Sequence, residues 1–185
     1  ETPFPDKAES PPVKAVKSSL AEAEIPANSQ ENVFDPSQAE MLVLVLRFDR
    51  FNLSDGLLGY LERGKLLLPL GEVMQSLEFA ITVDQDGKRA EGWFLSENQR
   101  FFLDVARGEV VINGKAGSFD PNLVVLDPED IFVDSTLLGK WFPVNFEFDL
   151  SNLLVKVTSQ EPLPLESRLL REARQSRIGR GRKVT

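Results

Sequence analysis

The sequence predicts an α+β, β-rich fold, two tandem β-β-α-β-β repeats packed as one domain. Three observations carry that expectation. Across residues 41–158 apolar and polar positions largely alternate, the period of half-buried strands. Turn dipeptides, Asp86-Gly87, Arg107-Gly108 and Asn113-Gly114, interrupt the alternation where hairpins would reverse. The second half also repeats the first: a shift of 65 residues lays 66–84 on 131–149 without a gap.

Residues 1–36 differ from the rest. They hold six of the twelve prolines, with Ala, Glu, Lys and Ser between them. Such a segment buries too little apolar surface to offset its ordering entropy, so a disordered Pro-rich leader is expected. Its composition suggests one short helix, at 18–24. A spacer across the periplasm or a peptide ligand is the functional alternative.

Residues 37–162 form the β-rich domain, with repeats at about 41–105 and 106–160. A long strand is expected over 41–51, with Arg47 and Asp49 on one face and Phe48 on the other. A short buried strand at 66–70 includes Pro69. A helix follows over 71–77 with Val73, Met74 and Leu77 inward. Strands at 79–84 and 89–95 flank the Asp86-Gly87 turn, and 100–105 and 109–113 make the next hairpin. In the second copy 130–134 is the strand, 135–141 the helix with Ser135 as its N-cap, and 144–150 with 153–158 the closing hairpin. Under the shift Val73 and Leu77 meet Leu138 and Phe142, and Phe79, Ile81 and Val83 meet Val144, Phe146 and Phe148. One copy alone is too small to bury a core, so the two are expected to pack together. Phe94, Phe101, Phe102, Phe119, Phe132, Trp141, Phe142, Phe146 and Phe148 are the expected core aromatics.

Residues 163–185 read as a basic tail, helical or disordered. Arg168, Arg171, Arg174, Arg177 and Arg180 recur every third residue and spiral around a helix rather than forming one face. Leu165, Leu169 and Leu170 form its short apolar patch. The chain carries 21 Lys and Arg against 29 acids; the segment 166–185 holds seven and two of these, so a body of net -13 carries a tail of net +5.

Histidine and cysteine are both absent. That excludes a Ser-His-Asp triad, a cysteine nucleophile, imidazole or thiolate zinc sites, haem and iron–sulfur ligation, and disulfides. Carboxylate, lysine, tyrosine or serine–lysine chemistry and oxygen-ligated cations remain. Asp84-Gln-Asp86-Gly87 opens like a calcium loop, but Lys88 and Leu95 stand where an EF-hand needs oxygen ligands, and the hairpin turn explains it. Asp127-Pro-Glu-Asp130 offers three carboxylates for a cation, but a polar turn before a strand is the favoured reading. There is no Ser-x-x-Lys in the folded region and no GxGxxG or GxxxxGK[ST] loop. No catalytic residue, metal or cofactor is assigned. The acidic body argues against nucleic-acid binding. No apolar run reaches the roughly 18–20 residues of a membrane-spanning helix. The candidate partner-binding residues are Trp93 and Trp141, from the pairs Trp93-Phe94 and Trp141-Phe142, and Arg168, Arg171, Arg174 and Arg177 of the tail. The tryptophans serve a glycan or the core, and the arginines an anionic partner.

Leu66-Leu-Leu-Pro-Leu-Gly-Glu-Val-Met-Gln-Ser-Leu-Glu-Phe resembles the repeated module named from the N-terminal domain of copper amine oxidases: strand, Pro-Leu step, short helix, hairpin. The second copy, from Val110-Val-Ile-Asn-Gly114 through Asp130-Ile-Phe-Val-Asp134 to residue 157, is similar. That module occurs in bacterial envelope proteins and lacks the oxidase copper site, which a chain without histidine cannot carry. Gly92-Trp-Phe, Phe102-Leu-Asp, Trp141-Phe-Pro and Leu163-Pro-Leu-Glu-Ser-Arg, within 66–174, also resemble the periplasmic segment ahead of the barrel in usher-like outer-membrane proteins. The resemblance implies a non-enzymatic module in the periplasm or outer membrane of a Gram-negative bacterium. It would bind a protein partner or exported substrate through exposed strand edges. The chain begins with Glu1 and not Met, so a cut or processed start is expected, and the resemblance implies a chain continuing past Thr185 towards a membrane barrel. A free-standing cell-wall or glycan-binding envelope protein is the alternative, and a carboxylate-based hydrolase the third reading.

Overall fold

A computed structural model describes residues 34–35, 37–84, 86 and 88–180, the last two by backbone alone. The helix expected at 18–24 and the glycine of the Asp86-Gly87 turn lie outside the described residues. These residues form twelve strands in two sheets with three α-helices, an α+β and β-rich architecture.

The described residues open with a hairpin of β1 (Glu40–Phe48) and β2 (Phe51–Glu62), in which Phe48 stands opposite Phe51. This corrects the single strand expected over 41–51. Asp49 takes a left-handed φ of 51° and reverses the chain there. β2 is illegible in the sequence because Asn52-Leu-Ser-Asp-Gly56 is turn-like in composition. Pairing with β1 along its length overrides that preference. Arg63 and Gly64, both at positive φ, turn the chain into β3 (Lys65–Pro69), which leads straight into α1 (Leu70–Ser76).

After α1 come β4 (Ala80–Val83), β5 (Arg89–Trp93), β6 (Arg100–Asp104), β7 (Glu109–Ile112) and β8 (Lys115–Ser118), an antiparallel meander in sequence order. Then β9 (Val124–Leu126) and β10 (Ile131–Asp134) run to α2 (Ser135–Trp141), and β11 (Val144–Asp149) pairs with β12 (Leu154–Ser159). α3 (Pro164–Arg180) ends the described chain. β8 and β9 have no counterpart in the sequence reading. Each is short, and β8 is exposed throughout.

The larger sheet has the order β11-β12-β1-β2-β3-β10-β9. All its pairs are antiparallel except β1 with β12, so the first and last strands of the described residues lie side by side. β3 and β10 are antiparallel neighbours next to its β9 edge, and Leu68 faces Val133, its counterpart under the 65-residue shift. The two strand–helix–strand segments then diverge. The β11–β12 hairpin belongs to this sheet, whereas β4–β5 opens the five-stranded one.

The starts of α1 and α2 are each capped by an aspartate, and neither cap is the Ser135 expected from sequence. Asp134 is the N-cap of α2: its carboxylate accepts the N–H of Thr136 at 2.9 Å and of Leu137 at 3.3 Å. Ser135 is instead the first helical residue. Pro69 precedes α1 and has no side chain to cap it. Asp130 does so across the fold, accepting the Gly71 N–H at 2.8 Å and the Glu72 N–H at 3.2 Å.

One apolar cluster joins the inner faces of both sheets to all three helices. Phe142 is its aromatic centre, with ring centroids of Phe101, Phe94 and Phe79 at 4.8, 5.6 and 6.0 Å. The expected aromatic core is corrected in part. Phe102, Phe119, Phe146 and Phe148 are only half-buried, and leucines of β1–β3 and α1 fill much of the interior. Packing begins inside the expected leader, for the Phe34 ring meets Tyr60 edge-on at 6.0 Å.

Candidate functional site

The five-stranded sheet ends at β4, and that edge is open. Asp84 donates its N–H to the Arg89 carbonyl, 3.0 Å, which marks a hydrogen-bonded pair. Alternation along an antiparallel ladder puts Thr82 with Glu91 and Ala80 with Trp93 in the same class. The N–H and C=O of Ile81 and Val83 therefore point away from β5. Among the described residues they meet no strand on that side.

A groove of about 660 Å³ follows this edge. Its wall opposite β4 comes from α1, the turn after it and the loop before β10: Gly71, Glu72, Gln75, Glu78, Glu129 and Asp130. The local fold places them. Asp130 ties its loop to the first turn of α1, and Glu78, at a φ of 59°, turns the chain from α1 into β4. The lining holds four carboxylates and no Lys or Arg. Burial raises the Asp130 carboxyl above its ordinary pKa; the N–H groups of Gly71, Ile131 and Glu72 oppose that shift, and nearby Asp127 adds to it.

Of the arginines expected to bind a partner, Arg168 alone bonds a residue that lines this groove, Glu78. Its guanidinium bonds Glu78 at 2.6 Å and Glu172 at 2.9 Å. The Glu172 hydrogen bond, with the charge of Glu78, raises the Arg168 pKa against partial burial. α3 lies on the domain through Leu163, Leu165 and Leu169, while Leu170 of the expected apolar patch is largely exposed. Arg171, Arg174 and Arg177 are exposed, and Arg174 and Arg177 flank Arg50 at a small hollow far along the helix.

The tryptophans part company. Trp141 is buried against Phe101 and Phe119, both at 5.7 Å, so it packs the core and offers no ring to a partner. This corrects its place among the candidate binding residues. Trp93 is half-buried on the outer face of the five-stranded sheet. There it shares a hollow of about 570 Å³ with Thr82, Glu91, Arg100, Phe102 and Val111. The Arg100 guanidinium stands 5.8 Å from its ring centroid.

Asp127 and Asp130 spend their carboxylates on backbone N–H groups, Asp127 on Glu129 and Asp130 on Gly71, Glu72 and Ile131. That is the work of a turn and a cap. Among the described residues no three acids gather as a metal site, and no helix is long and apolar enough to cross a membrane.

No protein family, curated protein or solved structure matches this chain. The β4 edge and its acidic wall were missed in the sequence. Alternation in 79–84 identifies a strand but not which strands flank it, and Glu72, Glu78 and Glu129 converge only in the folded chain.

Proposed function

We propose that this protein is a non-enzymatic interaction module that takes an extended segment of a partner chain as an added strand on β4. The observation that carries the reading is the open edge: Ile81 and Val83 direct unpaired main-chain groups along a groove long enough for a short strand. Main-chain hydrogen bonds supply affinity in strand addition, and flanking side chains supply selectivity. No titrating nucleophile or metal is required.

We further infer that β3–α1–β4 and β10–α2–β11 descend from one duplicated unit. Support comes from the 65-residue spacing, the coincidence of both helices under it, and the Leu68–Val133 pair at the join. The resemblance of 66–174 to the segment ahead of the barrel in usher-like proteins favours a setting in the bacterial periplasm, with an exported or envelope protein as partner.

A photo-crosslinking residue in place of Thr82 tests the reading in native cells. An extended partner should crosslink there and not from Lys115 on the opposite edge strand β8. No adduct at Thr82, or equal adducts at both, would sink the proposal. Trp93 favours a second reading, a glycan in the outer-face hollow. Arg100 already stands over that ring, so glycan binding must displace it and change the tryptophan emission; unchanged emission on titration with peptidoglycan fragments removes this reading.

A further inference from the structure

We infer that the strand accepted by β4 is basic at alternate positions, Lys or Arg, then any residue, then Lys or Arg. This rests on the strand-addition reading and adds the chemistry of the occupant. Residues opposite one another in a ladder share a face of the sheet. Ile81 and Val83 face the core side of β4, and Ala80 and Thr82 the outer side. The acidic wall lies on the core side: a Cβ built on Gly71 would stand 3.2 Å from Val83 Cγ2 and 3.1 Å from an Asp130 carboxylate oxygen. Partner side chains opposite Ile81 and Val83 therefore point under the sheet edge towards Glu72, Gln75, Glu78 and Glu129. The side chain between them points out to solvent beside Thr82.

The charges available are specific. Asp130 is engaged by three N–H groups, and Glu78 by Arg168. Among the described residues the Glu72 carboxylate accepts only the Ser54 hydroxyl, at 3.4 Å, and Glu129 is exposed. These two carboxylates remain for the incoming cations. Successive basic residues on one face of a strand stand about 7 Å apart. Their alkyl stems can lie along the edge while their charged heads reach the acids. An acidic strand would meet four carboxylates and no free cation in the groove lining.

The test uses the full chain and three synthetic heptapeptides. The first is Thr-Lys-Val-Lys-Val-Lys-Thr, the second replaces each Lys by Gln, and the third is the first with N-methyl groups on the amides of its lysines. Binding is read by fluorescence polarisation and by slowed amide exchange at Ile81 and Val83. The lysine peptide should bind about three- to tenfold more tightly than the glutamine peptide, because exposed ion pairs contribute little each. The preference should shrink in 0.5 M salt, where the Debye length falls to a few ångströms. Glu72→Gln with Glu129→Gln should abolish the preference and leave the weaker binding. Equal affinities for the lysine and glutamine peptides would overturn the basic occupant and leave strand addition standing. Full binding by the N-methylated peptide, or no exchange protection by any peptide, would overturn both.

Discussion

Asp104, Asp130 and Asp134 illustrate how one residue type does three jobs in this chain. Asp134 caps its own helix, so Asp134→Ala should destabilise the protein by about 0.5–2 kcal/mol, measured by urea unfolding at neutral pH. Asp104 and Asp130 should respond to acid in opposite senses. Burial pushes the Asp104 carboxyl up, but the Arg107 N–H, the Arg89 hydrogen bond and the charges of both arginines outweigh it and hold the pKa below 3.8. The native state therefore binds that proton less readily than the unfolded chain. Its stabilisation is complete above about pH 4 and fades as pH falls through the depressed value. Asp130 is raised, chiefly by burial, so the native state binds its proton more readily and stability rises at this site on acidification through the window above 3.8. Unfolding free energies across about pH 2.5–7 check both. The advantage of wild type over Asp104→Asn should shrink on acidification, and that of wild type relative to Asp130→Asn should grow. Parallel pH profiles would refute the assignment.

At the scale of elements, α3 is a helix held by a few leucines. Its arginines run around its exposed sides, and its attachment rests on Leu163, Leu165 and Leu169. Leu165 is fully buried, so Leu165→Ala should cost about 2–5 kcal/mol by urea denaturation. It should also speed amide exchange along α3 more than in β5–β7. Exchange raised equally in all three strands and the helix would mean that α3 is not a separable element. The same scale explains what sequence reading could reach. α1 and α2 were expected within a residue or two, because a short run of inward apolar residues between strands has few alternative readings. β2 was not, because its first half carries turn residues and its pairing with β1 is tertiary. The cap of α1 was out of reach as well: Asp130 lies 59 residues from the Gly71 N–H it accepts.

At the scale of the whole molecule, Phe142 ties the two sheets together, touching Phe101 of the five-stranded sheet and following directly on α2. Phe142→Ala should cost about 3–5 kcal/mol and lower the stability of both sheets together. Far-UV circular dichroism and tryptophan emission, which report on different regions, should still give coincident unfolding curves. Separate transitions would show that the sheets are independent cores. The sequence by itself determined the α+β, β-rich class, the hairpin turns at Arg107-Gly108 and Asn113-Gly114, both short helices, and the exclusion of imidazole and thiolate chemistry. Those features follow from local periodicity, turn chemistry and composition. Tertiary structure alone decided that β1 lies parallel to β12, that Trp141 faces inward while Trp93 stays half-exposed, and that β4 ends its sheet beside four carboxylates. Strand order and edge exposure depend on contacts between residues far apart in the chain, and alternation records only which face of a strand is apolar.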